Sequence, residues 1–380
     1  MRVVDLFAGC GGLSKGFQEA EFEVTLAAEH WKPARDVYGD NFDHPVKDID
    51  LSGVKDAVSA VRAERPDMII GGPPCQEFSA AGSRVEGTRA QLTINYAEII
   101  KAVRPRWFVL ENVQGISSSK TWEAARQIFE DAGYGITQRV LNAAHFGVPQ
   151  NRKRFFAIGL LGSEDDFLSD QIDDLKDEEP MSIKDYLGDE FGIDFYYRHP
   201  RNWGRRGVFS IDEPSPTVRS TNRPVPPGYK PHPEDAGPAT EARPLTAAQR
   251  SRVQTFDREF IFSGTMTDQD VMIANAVPVE LAKRVALAIS RFEEECSMLC
   301  DSNFRAWLAS TRRYTPRTVS NVVSRLKRAS RILQLGDLPA DPLDAIHALE
   351  RKVEFTGLPS SVRSQIKKAI RLRAEYIALN

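Results

Sequence analysis

Cysteine is scarce in this 380-residue chain. The four present, Cys10, Cys75, Cys296 and Cys300, are too few and too scattered for a disulfide framework or a paired-cysteine zinc site. A reducing compartment and no metal centre are therefore expected. Long apolar runs are missing too: no stretch reaches the roughly 18 residues that a membrane helix needs. The opening MRVVDLF reads as a strand and lacks the charged, apolar and small-residue regions of a signal peptide, so a cytoplasmic protein is expected. Internal repeats and low-complexity tracts are also absent. Charge of one sign does not dominate either: the formal net charge is −3, which leaves a nucleic-acid role undecided until its distribution is examined.

That distribution is uneven. Residues 301–380 hold 15 Lys and Arg against 7 Asp and Glu, whereas the preceding 300 hold 35 against 46. A basic tail follows an acidic body. Hydrophobic residues at 41% and charged residues at 27% are the balance of an ordinary globular chain, and the length suits two or three domains.

Residues 1–160 alternate short apolar runs (RVVDLF, FEVTLAAE, DMIIGG, RWFVLENV, RFFAIGL) with helix-like segments, the texture of a parallel α/β sheet. From about 161 to 265 an acidic stretch leads into a segment rich in Pro, Gly and Arg, read as a separate, irregular, mostly β domain. A helix is expected over Val277–Phe292, where Leu281, Val285, Ala288, Ile289 and Phe292 share one face. The first domain is expected to comprise 1–160 and 266–296. Residues 300–380 form a helical basic extension: Val319, Val322, Val323, Leu326 and Leu333 make one stripe, with Arg317, Arg325, Lys327, Arg328 and Arg331 largely off it.

Three places along the first domain carry chemistry. In DLFAGCGGLSKGF, Gly9, Gly11 and Gly12 let the backbone turn and approach a ligand, but Ser14 stands where a dinucleotide fingerprint wants glycine. Glu29 closes the second strand, where an acid accepts from ribose hydroxyls; Trp31 can stack on an adenine and Asp48 can accept from its amino group. A packing tryptophan and solvated acids are the plainer alternative. In DMIIGGPPCQEFS, Cys75 sits on a rigid turn at the carboxyl end of a strand, a nucleophile's position, although a lone thiol is more often a small buried core residue. RWFVLENV delivers Glu111 and Asn112 to the same edge, and QNRKRFF sets Arg152 and Arg154 on one face of an extended segment.

Taken in order, DLFAGCGG, GGPPCQ, ENV, QNRKR, RPLTAAQRSRVQTF and ANAVP resemble the cytosine-5 DNA methyltransferases, mostly of bacterial restriction-modification systems, over about three quarters of the chain. The resemblance implies a Rossmann-like, S-adenosylmethionine-dependent domain with a mixed, mostly parallel sheet, a smaller target-recognition domain over 161–265, and a helical extension outside the minimal family pattern. It implies that Phe7, Ala8, Gly9, Gly11, Gly12, Leu13, Glu29, Trp31, Asp48, Ile49, Pro73, Leu92, Asn275 and Val277 line the S-adenosyl-L-methionine pocket. Cys75 becomes the nucleophile and Glu111 the group at cytosine ring nitrogen 3, with Arg152 and Arg154 around the base and Gln150 in support. DNA contacts are implied for Gln76, Ser79, Ser83 and Arg84 on a closing loop over 76–90, for Asn112 and Gln150, and for Arg201, Arg205, Arg206, Thr217, Arg219 and Arg223.

Ala274 departs from the family's usual glycine, and Ala81 replaces a polar residue that some relatives carry on the closing loop. The expected partners are double-stranded DNA and a cognate restriction endonuclease, with no membrane, and the expected state is a monomer. The segment FRAWLASTRRYTPRTVSNVVSRLKRASRIL also resembles the core-binding domain of tyrosine recombinases. It is expected to touch DNA backbone beyond the target site, with a stabilising or dimer-contact role left open. Three rival readings stand beside this one: a related enzyme acting on transfer RNA, a non-catalytic DNA-binding regulator, and a nicotinamide-dependent oxidoreductase. Ser14 and the lack of a hydride-handling His or Tyr-Lys pair disfavour the last.

Overall fold

The computed structural model describes residues 1–74, 90–202, 204–299, 302–333, 338–339 and 341–379. Its strands, in chain order, are β1 (Arg2–Leu6), β2 (Glu23–Ala28), β3 (Val46–Lys47), β4 (Met68–Gly71), β5 (Trp107–Val113), β6 (Tyr134–Asn142), β7 (Gln150–Asn151), β8 (Lys153–Leu161), β9 (Phe195–Tyr197), β10 (Val208–Ser210), β11 (Ser215–Pro216) and β12 (Arg243–Pro244). Its helices are α1 (Gly12–Glu19), α2 (Lys32–Asn41), α3 (Val54–Ala63), α4 (Ala90–Val103), α5 (Lys120–Asp131), α6 (Ser169–Asp173), α7 (Ile183–Leu187), α8 (Ala247–Val253), α9 (Met266–Asn275), α10 (Val279–Leu299), α11 (Ser302–Ser310), α12 (Pro316–Leu333), α13 (Pro342–Glu350), α14 (Val353–Thr356) and α15 (Ser360–Leu379).

Seven strands form one sheet in the order β3-β2-β1-β4-β5-β8-β6, parallel from β3 to β5 and antiparallel at β8 and β6. The apolar runs are central because both faces of the sheet are covered: Val3, Met68, Ile70 and Val109 pack on one face, Val4, Ile69, Phe108 and Leu110 on the other. The expected parallel sheet therefore holds for β1, β2, β4 and β5, while RFFAIGL runs antiparallel. Edge strand β6, YGITQRVLN, carries no long apolar run, since Gln138 and Arg139 are only half-buried there.

Between β8 and α9 the chain builds a small three-stranded sheet, β10-β9-β12, over a core of Ile183, Tyr196, Phe209, Val218 and Val253. Strand β11 leaves this unit and pairs in parallel with β7, tying it to the main sheet at Ser215–Gln150. Helix α9, without a clear apolar stripe in the sequence, is set by a reciprocal cap between Thr265 and Asp268.

Helices α11–α15 share a separate core that includes Phe304, Leu326, Ile346, Phe355 and Ile370. Their attachment to the body uses the basic face of α12. Lys327, 1% exposed, donates from Nζ to the Phe292 carbonyl at 2.9 Å and stands 4.0 Å over the Phe292 ring, while Arg325 pairs with Glu164. Glu164 follows β8, whose Leu160 lies opposite Trp107 at the start of β5. The extension thus docks at the edge of the sheet opposite that of Gly71 and Glu111. Replacing Lys327 with Ala removes a charge-assisted hydrogen bond and a cation–π contact, and is expected to cost about 2 kcal/mol. A lowered thermal unfolding midpoint of the full chain checks this; an unchanged midpoint would show that Nζ is not held.

Candidate active site

The sheet order reverses between β1 and β4, and in such folds the crevice at the carboxyl ends of these two strands receives ligands. After β1 the chain turns through Phe7 (φ 60°), Gly9 (φ 56°) and Gly11 (φ 98°) into α1. A Cβ at Gly11 would come 2.3 Å from the Phe42 ring, and one at Gly12 2.2 Å from the Val277 carbonyl oxygen, so close packing demands glycine at both. Beside Gly9, in contrast, a Cβ would meet nothing within 4 Å: this part of the loop faces open space.

Glu29 is locked in place, its two oxygens accepting from the backbone N–H groups of Gly9 (2.8 Å) and Trp31 (2.7 Å). Asp48 accepts from His30 Nδ1 at 2.8 Å and pairs with Arg35 at 3.2 Å. Trp31 lies half-buried against Cys10, Phe256 and Phe260, Ile49 packs on the sheet core, Leu92 is half-buried at the start of α4, Ala8 and Leu13 are buried, and Asn275 is exposed at the end of α9. Cys10 is a buried free thiol, pushed by burial up to about 12, so it is no thiolate.

Below the glycine turn runs a buried chain that the sequence did not advertise. Ser14 Oγ donates to Asp5 Oδ2 at 2.6 Å, Tyr38 Oη donates to Ser14 Oγ at 2.7 Å, and Tyr38 Oη lies 2.6 Å from His44 Nε2. This explains the serine in place of a fingerprint glycine. Burial raises the Asp5 carboxyl to about 7, with the Ser14 hydrogen bond opposing and the Glu29 charge adding to the rise.

On the other side of the crevice, β4 runs into Gly72, Pro73 and Pro74. Asn112 Nδ2 donates to the Pro73 carbonyl at 3.2 Å, while Asn112 Oδ1 accepts from the Val113 N–H. Expected on DNA, Asn112 is instead 2% exposed and engaged at both ends in bracing this turn. Tyr96 Oη on α4 shares its one proton between the carbonyls of Ile69 (3.0 Å) and Val109 (2.9 Å), anchoring the far side. Cys75, Gln76, Ser79, Ala81, Ser83 and Arg84 lie outside the described residues, as does most of the expected 76–90 loop.

Glu111 lies near the end of β5 with its carboxylate 3.0 Å from Arg154 Nε, and a Cβ on Gly72 would lie 3.1 Å from Glu111 Oε2. Burial raises the Glu111 carboxyl above its ordinary range, with the guanidiniums of Arg154 and Arg152 pulling it back. Arg152 is 1% exposed: Nη2 donates to the carbonyls of Ala274 (2.8 Å) and Ala276 (3.0 Å), and Nε and Nη1 have no partner among the described residues. Burial, aided by Arg154 and opposed by Glu111, depresses its pKa. The arrangement sets a buried carboxyl whose pKa is raised beside guanidinium donors suited to a polar, planar ligand.

The expected DNA contacts divide. Arg201, Arg205 and Arg223 are exposed and without an ion pair among the described residues, and Arg201 and Arg205 lie close enough to Arg198 to help lower its pKa to about 9, after burial and Arg219. Arg206 instead pairs with Glu213 and lies 4.4 Å from the Phe209 centroid; Arg219 donates to the His199 carbonyl. Thr217 Oγ1 donates to the Asn151 carbonyl, and Gln150 is fully buried. These four serve the interior or the seam between the small sheet and the main one. Sequence reading missed Asp5, Tyr38, Arg250 and Gln254, whose roles depend on partners far along the chain. Among the described residues no group of three or more His, Cys, Asp and Glu could hold a metal, and no helix is long and apolar enough to cross a membrane.

The fold is a Rossmann-like α/β one, with a seven-stranded, mostly parallel sheet. Residues 1–291 match the family model described as C-5 cytosine-specific DNA methylase; the chain belongs to that family and is a DNA cytosine-5 methyltransferase. It is 50% identical over 298 residues to the Type II methyltransferase M.HindV of Haemophilus influenzae, spanning 78% of this chain and 98% of the relative. With the Type II methyltransferase M.HgiDI of Herpetosiphon aurantiacus it shares 45% identity over 77% of this chain and 95% of that one. In fold it is similar to the S. pombe Dnmt2 methyltransferase (TM-score 0.57, 21% identity, 78% of this chain and 99% of that one). A putative DNA modification methyltransferase encoded within a prophage of E. coli is similar too (TM-score 0.56, 22% identity, 77% and 99%).

The Asp5 carboxyl yields a prediction of definite sign. Its folded pKa of about 7 exceeds the unfolded value near 3.8, so its contribution is fully present below pH 4 and is lost as pH rises through 7. The loss is on the order of 4 kcal/mol. Denaturant unfolding between pH 5 and 8 should show this decline, and Asp5→Asn should flatten it; equal slopes for both proteins would refute the assignment.

Proposed function

We propose that this chain transfers a methyl group from S-adenosylmethionine to carbon 5 of a cytosine rotated out of a specific duplex DNA sequence, as the protective modification enzyme of a bacterial restriction-modification system. The observation that carries the reading is the buried Glu111 carboxyl held by Arg154 beside the turn that leads to Cys75. The open loop at Gly9, the locked Glu29 and the exposed Asn275 fit an adenosyl ligand spread over the ends of β1 and β2, with Phe7, Trp31, Asp48, Ile49, Pro73, Leu92 and Val277 around it. When bound, S-adenosylmethionine supplies an electrophilic sulfonium methyl.

Carbon 5 of cytosine is a poor nucleophile until a nucleophile adds to carbon 6, and a thiolate suits that addition. The Cys75 thiolate forms the bond to carbon 6. Glu111, whose pKa burial raises, donates a hydrogen bond or its proton to ring nitrogen 3, so that electron density moves onto carbon 5. Arg154 orients that carboxyl, and Arg152 presents its free N–H groups to the base. After methylation the carbon 5 proton leaves and the bond to Cys75 breaks. Carbon 6 is inaccessible inside a stacked duplex, so the base is extruded at a cost of a few kcal/mol, offset by protein contacts.

The working division is a catalytic unit of 1–160 with 266–296, a recognition unit of 161–265 and an extension of 300–380. Arg201, Arg205 and Arg223 supply phosphate or guanine donors on the recognition unit. The enzyme acts in the cytoplasm as a monomer alongside a cognate endonuclease.

Labelled methyl transfer to duplex DNA, with transfer RNA in parallel, tests the reading. Cys75→Ala is expected to abolish transfer while cofactor binding remains, and Glu111→Gln to slow it about 10²- to 10⁴-fold. Duplex containing 5-fluorocytosine should trap the intact chain covalently through Cys75. Transfer that survives Cys75→Ala would overturn the mechanism.

A further inference from the structure

Two glutamines meet in the interior where the small sheet joins the main one. Gln150 and Gln254 are both fully buried, and Gln150 Nε2 donates to Gln254 Oε1 at 2.7 Å. A buried primary amide needs partners for both its ends, and the orientation of each of two facing amides is dictated by what lies beyond it. Beyond Gln150 lies the recognition unit: its Oε1 accepts from the Val218 N–H at 2.9 Å. Beyond Gln254 lies the end of α9: its Nε2 donates to the carbonyls of Ile273 (2.5 Å) and Ala276 (3.1 Å). The Ala276 carbonyl is the same one that accepts from Arg152 Nη2.

An unbroken hydrogen-bonded line therefore runs from the Thr217–Arg219 segment to the guanidinium beside Glu111 and to the turn bearing Asn275. Helix α8 braces it at its other end, where Arg250 pairs with Asp270 on α9 and donates to the Arg219 carbonyl. Close-packed, fully bonded groups transmit a displacement rather than absorb it.

We propose that Gln254 is a positioning residue that couples the DNA side of the active site to its cofactor side. A duplex seated on exposed Arg201, which lies beside Arg219, fixes the Thr217–Arg219 segment and through this amide the α9 turn, so a second ligand meets a turn already arranged. By linkage, DNA then tightens cofactor binding by the same factor as cofactor tightens DNA binding. The inference rests on the methyl-transfer reading above.

The test uses the full chain, S-adenosylhomocysteine as cofactor probe, and a duplex bearing the site mapped from methylation by the unaltered protein. Gln254→Met keeps the length and removes the donors; Gln254→Glu keeps the acceptor facing Gln150 and removes the donors to α9. In whichever of the two unfolds cooperatively near the parent midpoint, cofactor affinity without DNA should stay within about twofold, and the tightening by DNA, of order tenfold in the parent, should fall towards one. The rate constant for transfer should drop about 10- to 100-fold, and Gln150→Met combined with Gln254→Met should be no worse than the poorer single variant. Undiminished coupling in a folded variant, multiplicative losses in the double variant, or a parent that shows no coupling would overturn the proposal. Absence of methyl transfer by the parent would instead refute the reading on which it rests.

Discussion

Burying a guanidinium obliges a protein to bring it partners, and Arg152 shows how far that obligation reaches. Its Nη2 is bonded only to carbonyls at the end of α9, more than 120 residues further along the chain. Those carbonyls are open to it because α9 ends at Asn275, where the backbone turns into Pro278 and α10, leaving acceptors that no helical N–H claims. The buried Arg152, the turn after α9 and the glutamine pair are thus aspects of one requirement. None of the three segments can shift without leaving a buried polar group unmade.

The glycine turn after β1 obeys a similar logic with a different ionisation. Asp5 keeps one oxygen on Ser14 and has Oδ1 buried without a partner among the described residues. Holding it as a carboxylic acid is cheaper than burying its charge, which is why its pKa climbs whereas that of surface Asp212, bonded to Ser210 and Lys184, is lowered. Glu111 lies between these extremes: burial raises its pKa, and two guanidiniums restrain the rise.

The C-terminal helices answer a packing problem before any other. Among the described residues, helices α11–α15 enclose a core of their own, and their contacts with the body include a buried lysine and the Arg325–Glu164 ion pair, at the end of the sheet away from the crevice. Two of the cations that made α12 look like a nucleic-acid face, Arg325 and Lys327, are thereby consumed. Sequence periodicity located the apolar stripe correctly, but it could not tell which part of the polar face would meet water and which another domain.

What the chain determined by itself was local. Apolar runs bounded by glycine and proline marked β1, β2, β4, β5 and β8, the alternation of strands and helices announced the fold class, and the ordered motifs announced the family and the arginines beside Glu111. Tertiary structure alone decided the direction of β8, the presence of β6, and the partners of each buried polar group. Asn112 became a brace for Pro73, Arg206 and Arg219 turned inward, and Gln254, unremarkable in RVQTF, became the hub between two units. The physical reason is that hydrophobic period and turn chemistry act over a few residues, whereas the satisfaction of a buried hydrogen bond depends on whichever distant backbone the fold brings alongside.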